Sequence, residues 1–193
     1  MEEPSIKEYN IKIFKDFCNS SVEKYVLGDN SEEYIQKKKI AIIDCDGVVS
    51  NGESLYTEDG KFLKSYGCYD KEMMKFFSNI GWEFEFVSDD KKGFNITKKR
   101  ISDLGYELFN YSDKERLQLI KDYKDKIGYD IIVFIGDSLS DIPSLIEADY
   151  SGTCNNAPDL VKTFCDYVSP RNGGNGAVAD IMYNLHHNFM RYE

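Results

Sequence analysis

Asp44 and Asp46 stand two residues apart directly after the apolar run Ile40, Ala41, Ile42, Ile43, and Gly47 follows them. Such a run reads as a buried strand, so both acids leave its carboxyl end, the edge of an open α/β sheet at which ligands bind. Gly47 frees the backbone to turn sharply and to expose both carboxylates to one shared pocket. Paired carboxylates so placed suit nucleophilic attack, general acid–base work or divalent-cation binding. A strand ending in a solvated Asp-Gly turn explains the same residues without any chemistry.

Three further segments repeat the arrangement of apolar residues ending in polar ones. The run Glu83 to Val87 ends at Ser88. Lys114 opens a helical stretch, Asp113 to Lys126. The run Ile131 to Ile135 ends in Gly136, Asp137, Ser138, Leu139, Ser140 and Asp141. Singly, Ser88 reads as a helix cap, Lys114 as a surface lysine, and Asp137 with Asp141 as loop acids before a helix. Taken in order, DxDG, Ser after a strand, Lys and GDxxxD, the chain resembles the haloacid dehalogenase superfamily of phosphohydrolases. Within it the chain is similar to the small phosphatases of 3-deoxy-D-manno-octulosonate 8-phosphate and nonulosonate 9-phosphates. That likeness runs from about Lys39 to the last helix and includes DGVVSNGESLYTEDGKFLKSYGCYD (Asp46 to Asp70), GDSLSD and RNGGNGAV (Arg171 to Val178).

The resemblance implies a magnesium-dependent phosphomonoesterase acting on a phosphorylated sugar acid through an aspartyl phosphate. Asp44 is the implied nucleophile. Asp46 is the implied acid and base, helped by two carboxylates in one pocket pushing one pKa upward. Mg2+ falls to the Asp44 side chain, the Asp46 backbone carbonyl and Asp137, with Asp141 in support. Ser88 and Lys114 are assigned to the phosphate oxygens, where charge gathers in transfer. The second motif departs from the pattern: Asp89 and Asp90 occupy the positions of a common Gly-Arg. Lys91 or Lys92 is then the available cation for a substrate carboxylate, without arginine's bidentate fork. Tyr69 likewise replaces a frequent arginine. Arg171, with Gly173, Gly174 and Gly176, either presents donors to an anion or shapes a tight turn.

The elements that must position these groups alternate. Ser54 to Tyr56 and Phe62 to Tyr66 flank Glu58-Asp59-Gly60, a β-hairpin signal, giving a flap over about residues 52–67. A helix at Lys71 to Asn79 follows. Strands at Glu83 to Val87, Tyr106 to Phe109 and Ile131 to Ile135 then alternate with helices near Phe94 to Leu104, Asp113 to Lys126 and Ile142 to Glu147. Short strands at Tyr150 to Thr153 and Tyr167 to Val168 separate helices near Ala157 to Phe164 and Gly176 to Asn188. This alternation predicts an α/β fold, a Rossmann-like parallel sheet with helices on both faces. Only 42 residues separate Asp46 from Ser88, and 23 separate Lys114 from Asp137. Neither interval holds a cap domain, so the fold is expected to be capless. A hairpin from a neighbouring subunit is the expected cover, and the resembled phosphatases imply a homotetramer.

A chain of 193 residues with 41% hydrophobic composition fits one domain, read as 39–193 behind a helical extension at 1–38 whose helix ends near Gly28. The absence of a membrane-length apolar stretch and of a secretory signal predicts a soluble, cytoplasmic protein. The formal charge of −10 disfavours nucleic acid and acidic membranes as partners. It also requires local neutralisation wherever a phosphate dianion binds among aspartates. Lys37 to Lys39 read as a solvated approach to the first strand, and His186 and His187 as a surface tail. The five scattered cysteines show no CxxC spacing, against a disulfide framework or zinc site. The alternative function is a non-catalytic oligomerisation module like the phosphatase-like domain of some acylneuraminate cytidylyltransferases. A receiver domain fails on order, since its phosphorylated acid follows the third strand.

Overall fold

Alternation along β1 (Lys39–Asp44) sends Ala41 and Ile43 to one face and Ile40 and Ile42 to the other, and all four are buried. A central strand covered on both sides reads as continuous apolar sequence, as this one does. The computed structural model describes residues 36–189. The helix expected before Gly28, and all but the end of the 1–38 extension, lie outside the described residues.

β1 is flanked by β4 (Trp82–Ser88) and β6 (Ile131–Ile135) in a sheet of order β5-β4-β1-β6-β7-β8, where β5 is Leu108–Asn110, β7 Tyr150–Thr153 and β8 Tyr167–Val168. Every pairing in it is parallel. α1 (Asp70–Asn79), α2 (Phe94–Leu104) and α6 (Ala177–Phe189) pack Met74, Phe77, Ile101, Ile181 and Leu185 on the Ala41 face. α3 (Asp113–Asp122), α4 (Ile142–Glu147) and α5 (Asp159–Lys162) bring Ile120, Leu145 and Val161 to the Ile40 face. Each large apolar side chain so enclosed contributes about 1.5–3 kcal/mol. The two-faced parallel sheet is the architecture expected from the sequence.

Register decides what meets at the upper edge. Asp44 lies opposite Val87, and Ile43 opposite Ile135, so the residues that follow β1, β4 and β6 emerge side by side. The chain leaves β1 for β4 and β5 on one side and then crosses to β6 on the other. This reversal makes the gap between β1 and β6 the switch point, where ligands bind in open α/β sheets.

β2 (Ser50–Thr57) and β3 (Gly60–Tyr66) form a separate antiparallel pair directly after the Asp44 turn, longer than the hairpin expected. α3 stops at Asp122, short of Lys126, because the chain widens into a looser turn closed by Gly128 at φ +72°. Lys39 is not a solvated approach residue: as the first residue of a strand paired on both sides it is fully buried. Its Nζ donates to the Lys37 carbonyl at 2.9 Å, and burial lowers its pKa to about 8. His186 is no surface tail either; it lies buried on α6, edge-on to Phe77. The side chain of His187 is outside the description. No helix among the described residues is long and apolar enough to cross a membrane.

Candidate active site

At the end of β1 the chain makes a tight turn, Cys45 to Val49, in which Gly47 takes φ +93°. A Cβ there would also strike the Asp137 carboxylate, so glycine is required on both counts. The turn folds Asp46 back, and its amide donates to Asp44 Oδ2 at 3.2 Å. Cys45 points the other way, into the core.

Asp137 follows β6, and the turn behind it closes on Asp141, whose Oδ2 accepts from the amides of Asp137 and Ser138 and from Ser138 Oγ. Ligand atoms of Asp44, Asp137 and Asp141 lie within 4.8 Å of one another. Asp137 Oδ1 is buried without a hydrogen-bond partner. Ser88, at the end of β4, donates its hydroxyl to Asp46 Oδ2 at 3.0 Å.

The cation facing these acids is Arg116, not Lys114. Arg116 Nη1 donates to Asp44 Oδ1 at 3.1 Å and to Asp141 Oδ1 at 2.5 Å from a buried position. Lys114 is exposed on the opposite side of α3. Helix geometry gives the reason: residues 114 and 116 stand ~200° apart, so only one of them can face the sheet. A capping box between Ser112 and Glu115 fixes where α3 starts, and buried Ile120, four residues beyond Arg116, marks the inward face. That i, i+4 relation was the available signal in the sequence.

A second missed group comes from the hairpin. Lys64, buried, donates from Nζ to Asp46 Oδ1 at 2.5 Å, to Asp90 Oδ2 at 2.8 Å and to Thr97 Oγ1 at 2.8 Å. Burial alone would lower its pKa, but its hydrogen bonds to the Asp46 and Asp90 carboxylates outweigh that and raise it. Lys61 reaches Asp90 Oδ2 at 2.5 Å. These groups border a cavity of about 200 Å³ lined by Asp44, Asp46, Lys61, Asp89, Asp90 and Arg116, with Gly52, Ser54, Ser138 and Ser140.

Neither Lys91 nor Arg171 is among the residues lining that cavity, and both are exposed. The glycines after Arg171 serve close backbone packing. Gly174 donates to the Val48 carbonyl at 2.8 Å, Gly173 donates to Asn156 Oδ1 at 2.8 Å, and a Cβ on either would strike backbone of the 47–51 turn. Of the two readings of this segment, the tight turn is the one that the geometry matches.

Six carboxylates (Asp44, Asp46, Asp89, Asp90, Asp137, Asp141) thus face three cations (Lys61, Lys64, Arg116). Burial, reinforced by Asp141, pushes Asp44 well above the usual carboxylate range despite the opposing Arg116. Burial, with Asp141 and Asp46, raises Asp137 from 3.8 to about 7. An oxygen-only donor set with an orphaned buried carboxylate oxygen and an excess of negative charge fits a hard divalent cation.

A model of the haloacid dehalogenase-like hydrolases matches residues 117–182, a stretch that begins just after Arg116 and contains Asp137 and Asp141. The chain is 27% identical over 152 residues to 3-deoxy-D-manno-octulosonate 8-phosphate phosphatase from Haemophilus influenzae, covering 78% of this chain and 83% of that protein. The cobalt-bound structure of the deoxy-D-mannose-octulosonate 8-phosphate phosphatase from that organism superimposes with a TM-score of 0.67 at 25% identity, over 80% of this chain and 92% of the other. The 3-deoxy-D-manno-octulosonate 8-phosphate phosphatase from Moraxella catarrhalis, solved in complex with a magnesium ion, a phosphate ion and a KDO molecule, superimposes with a TM-score of 0.65 at 21% identity, over 86% of this chain and 100% of the other.

Proposed function

We propose that the chain, which is similar to the haloacid dehalogenase-like hydrolases, is a magnesium-dependent phosphomonoesterase acting on a small sugar phosphate of the phosphorylated 2-keto-3-deoxy sugar acid class. One observation carries the reading. The buried Asp44 carboxylate sits at the tip of the central strand, tied by Arg116 to Asp141 and beside Asp137, facing a cavity. A module for oligomerisation alone would need no such tie.

Asp44 is placed to attack phosphorus and form an aspartyl phosphate, dividing hydrolysis into two easier displacements. Asp46, aimed by Ser88 and Lys64, is placed to protonate the leaving sugar oxygen and then to take a proton from the attacking water. Arg116 takes the part that the sequence assigned to Lys114. Its Nη2 stands 3.7 Å from Asp89, beyond hydrogen-bond length, and is available to a phosphoryl oxygen. Asp44, the Asp46 carbonyl and Asp137, with Asp141 beside them, would hold Mg2+, which supplies positive charge against the phosphoryl oxygens and lets Asp44 ionise. The substrate class rests on the octulosonate phosphatases that the chain resembles over most of its length.

The assay is phosphate release from sugar acid phosphates, hexose phosphates and nucleotides, with Mg2+ and with EDTA. Magnesium-dependent release favouring the sugar acids is expected. Release confined to nucleotides or hexose phosphates would defeat the substrate assignment, and no release on any substrate would defeat the enzymatic one.

A consequence independent of turnover concerns pH. Asp137 has a folded pKa near 7 against an ordinary 3.8, so its contribution to stability is full below about pH 4 and is lost as pH rises through about 7. Metal-free protein should therefore lose stability across that interval. Mg2+ should restore it, raising Tm by about 3 °C or more at pH 8 and by much less at pH 5. Equal magnesium stabilisation at both pH values would contradict the carboxylate cluster as the metal site.

The exposed apolar side chains of the hairpin, Leu55, Tyr56, Phe62 and Leu63, support a homotetramer in which each hairpin covers a neighbour's site, since open phosphoryl transfer sites need shielding from water. Light scattering should give four chain masses; a fully active monomer would overturn this.

A further inference from the structure

Lys61 and Lys64 lie three apart on β3, and a regular strand would point them to opposite faces. Both nevertheless reach Asp90 Oδ2. The pairing explains how. Ser54 stands opposite Lys64 and Leu55 opposite Leu63, but Tyr56 stands opposite Lys61, so β3 carries one extra residue, Phe62, in a bulge. A bulge reverses the alternation beyond it and re-aims side chains, and here it brings two ammonium groups onto one carboxylate.

The receiving side is shaped to match. Asp90 Oδ1 accepts from the Gly93 amide at 3.0 Å, and the Asp90 amide donates to Ser88 Oγ at 3.1 Å. A Cβ on Gly93 would press on Lys64 Cε, Lys61 Cδ and Asp90 Oδ2, so the bare glycine makes room for both lysine stems. Thr97 Oγ1 receives Lys64 Nζ and Tyr66 Oη, closing the far end. Both Asp90 oxygens are thereby occupied within the chain, by two lysines and an amide.

We infer that Asp90 is a positioning residue: with Lys61 and Lys64 it forms an ionic latch that seats the hairpin on its own chain's site and, through Lys64, aims the Asp46 carboxylate. The aiming half rests on the phosphatase reading; the seating half does not. The acid that replaces the usual second-motif arginine acts on the hairpin, not on substrate. The apolar hairpin residues stay free of this contact.

Amide hydrogen exchange across residues 50–66 tests the seating. Asp90→Asn and Lys61→Met should each speed exchange there about tenfold or more while leaving β1 and β6 protected, and Lys61→Arg should retain protection. Hydrolysis of an aryl phosphate against an alkyl phosphate tests the aiming. An aryl oxygen leaves with little help from an acid and an alkyl oxygen needs it, so Asp90→Asn should raise the aryl-to-alkyl rate ratio about tenfold or more. Unchanged hairpin exchange in both Asp90→Asn and Lys61→Met would overturn the latch whether or not the protein hydrolyses anything. Wild-type hydrolysis with an unchanged ratio in Asp90→Asn would overturn the aiming while the phosphatase reading stands. A wild type inert to both esters would remove that reading and the aiming with it, and leave the exchange result to decide the seating.

Discussion

Asp44→Asn is expected to abolish phosphate release, a loss of about a thousandfold or more, corresponding to ~4 kcal/mol of barrier lowering. The amide matches the carboxylate in shape and fills the same buried place at the tip of β1, but it cannot attack phosphorus. Its effect on stability should run the other way. Asp44 is buried among Asp141, Asp137 and Asp46, and the pushed-up pKa records the cost of ionising there. Removing that charge relieves repulsion, so the Tm of metal-free Asp44→Asn at pH 8 should equal or exceed that of the wild type. Phosphate assay and thermal melt together distinguish a missing nucleophile from a damaged fold; substantial activity in a well-folded variant would remove Asp44 from its role.

Arg116→Ala should cost both stability and activity. The guanidinium is the buried cation between Asp44 and Asp141, and deleting one member of such a group leaves uncompensated charge at about 3–5 kcal/mol. Turnover should fall at least ~100-fold, since the same donor fixes the nucleophile and faces the phosphoryl group. Arg116→Lys keeps the charge without the planar fork and should fall between. Lys114→Ala, on the exposed face, should stay within about 0.5 kcal/mol of the wild type and near its full rate. The reverse order, with Lys114→Ala inactive and Arg116→Ala active, would return the role to the residue expected from the motif spacing.

The contrast between these two positions shows what kind of information the sequence carries openly. Asp44, Asp46, Ser88 and Asp137 are legible because each follows a run of buried strand residues, and a parallel sheet brings strand ends to one edge in a fixed register. Once β1, β4 and β6 are recognised, their terminal residues have few places to go. Arg116 is harder because a helix rotates each residue ~100°, so a motif read by order alone can land on the wrong face; only the spacing to Ile120 reveals it. The hairpin lysines are harder again. Strand alternation denies Lys61 and Lys64 a common target, and the bulge at Phe62 that gives them one has no local signature in the sequence. Gly173 and Gly174 show a similar gap, since their purpose is contact with the 47–51 turn more than a hundred residues earlier. Lys39 and His186 mislead because charge and polarity suggest exposure, whereas the centre of the sheet and the inner face of α6 enclose both.

The central claim is that Asp44 becomes transiently esterified by phosphate, and acid quench of the working enzyme followed by borohydride tests it most directly. Borohydride reduces an acyl phosphate to an alcohol, so mass spectrometry should find the side chain at position 44 reduced, in a substrate- and magnesium-dependent manner, with Asp46, Asp137 and Asp141 unchanged. Steady phosphate release with no reduction at position 44, or reduction at another aspartate, would contradict it.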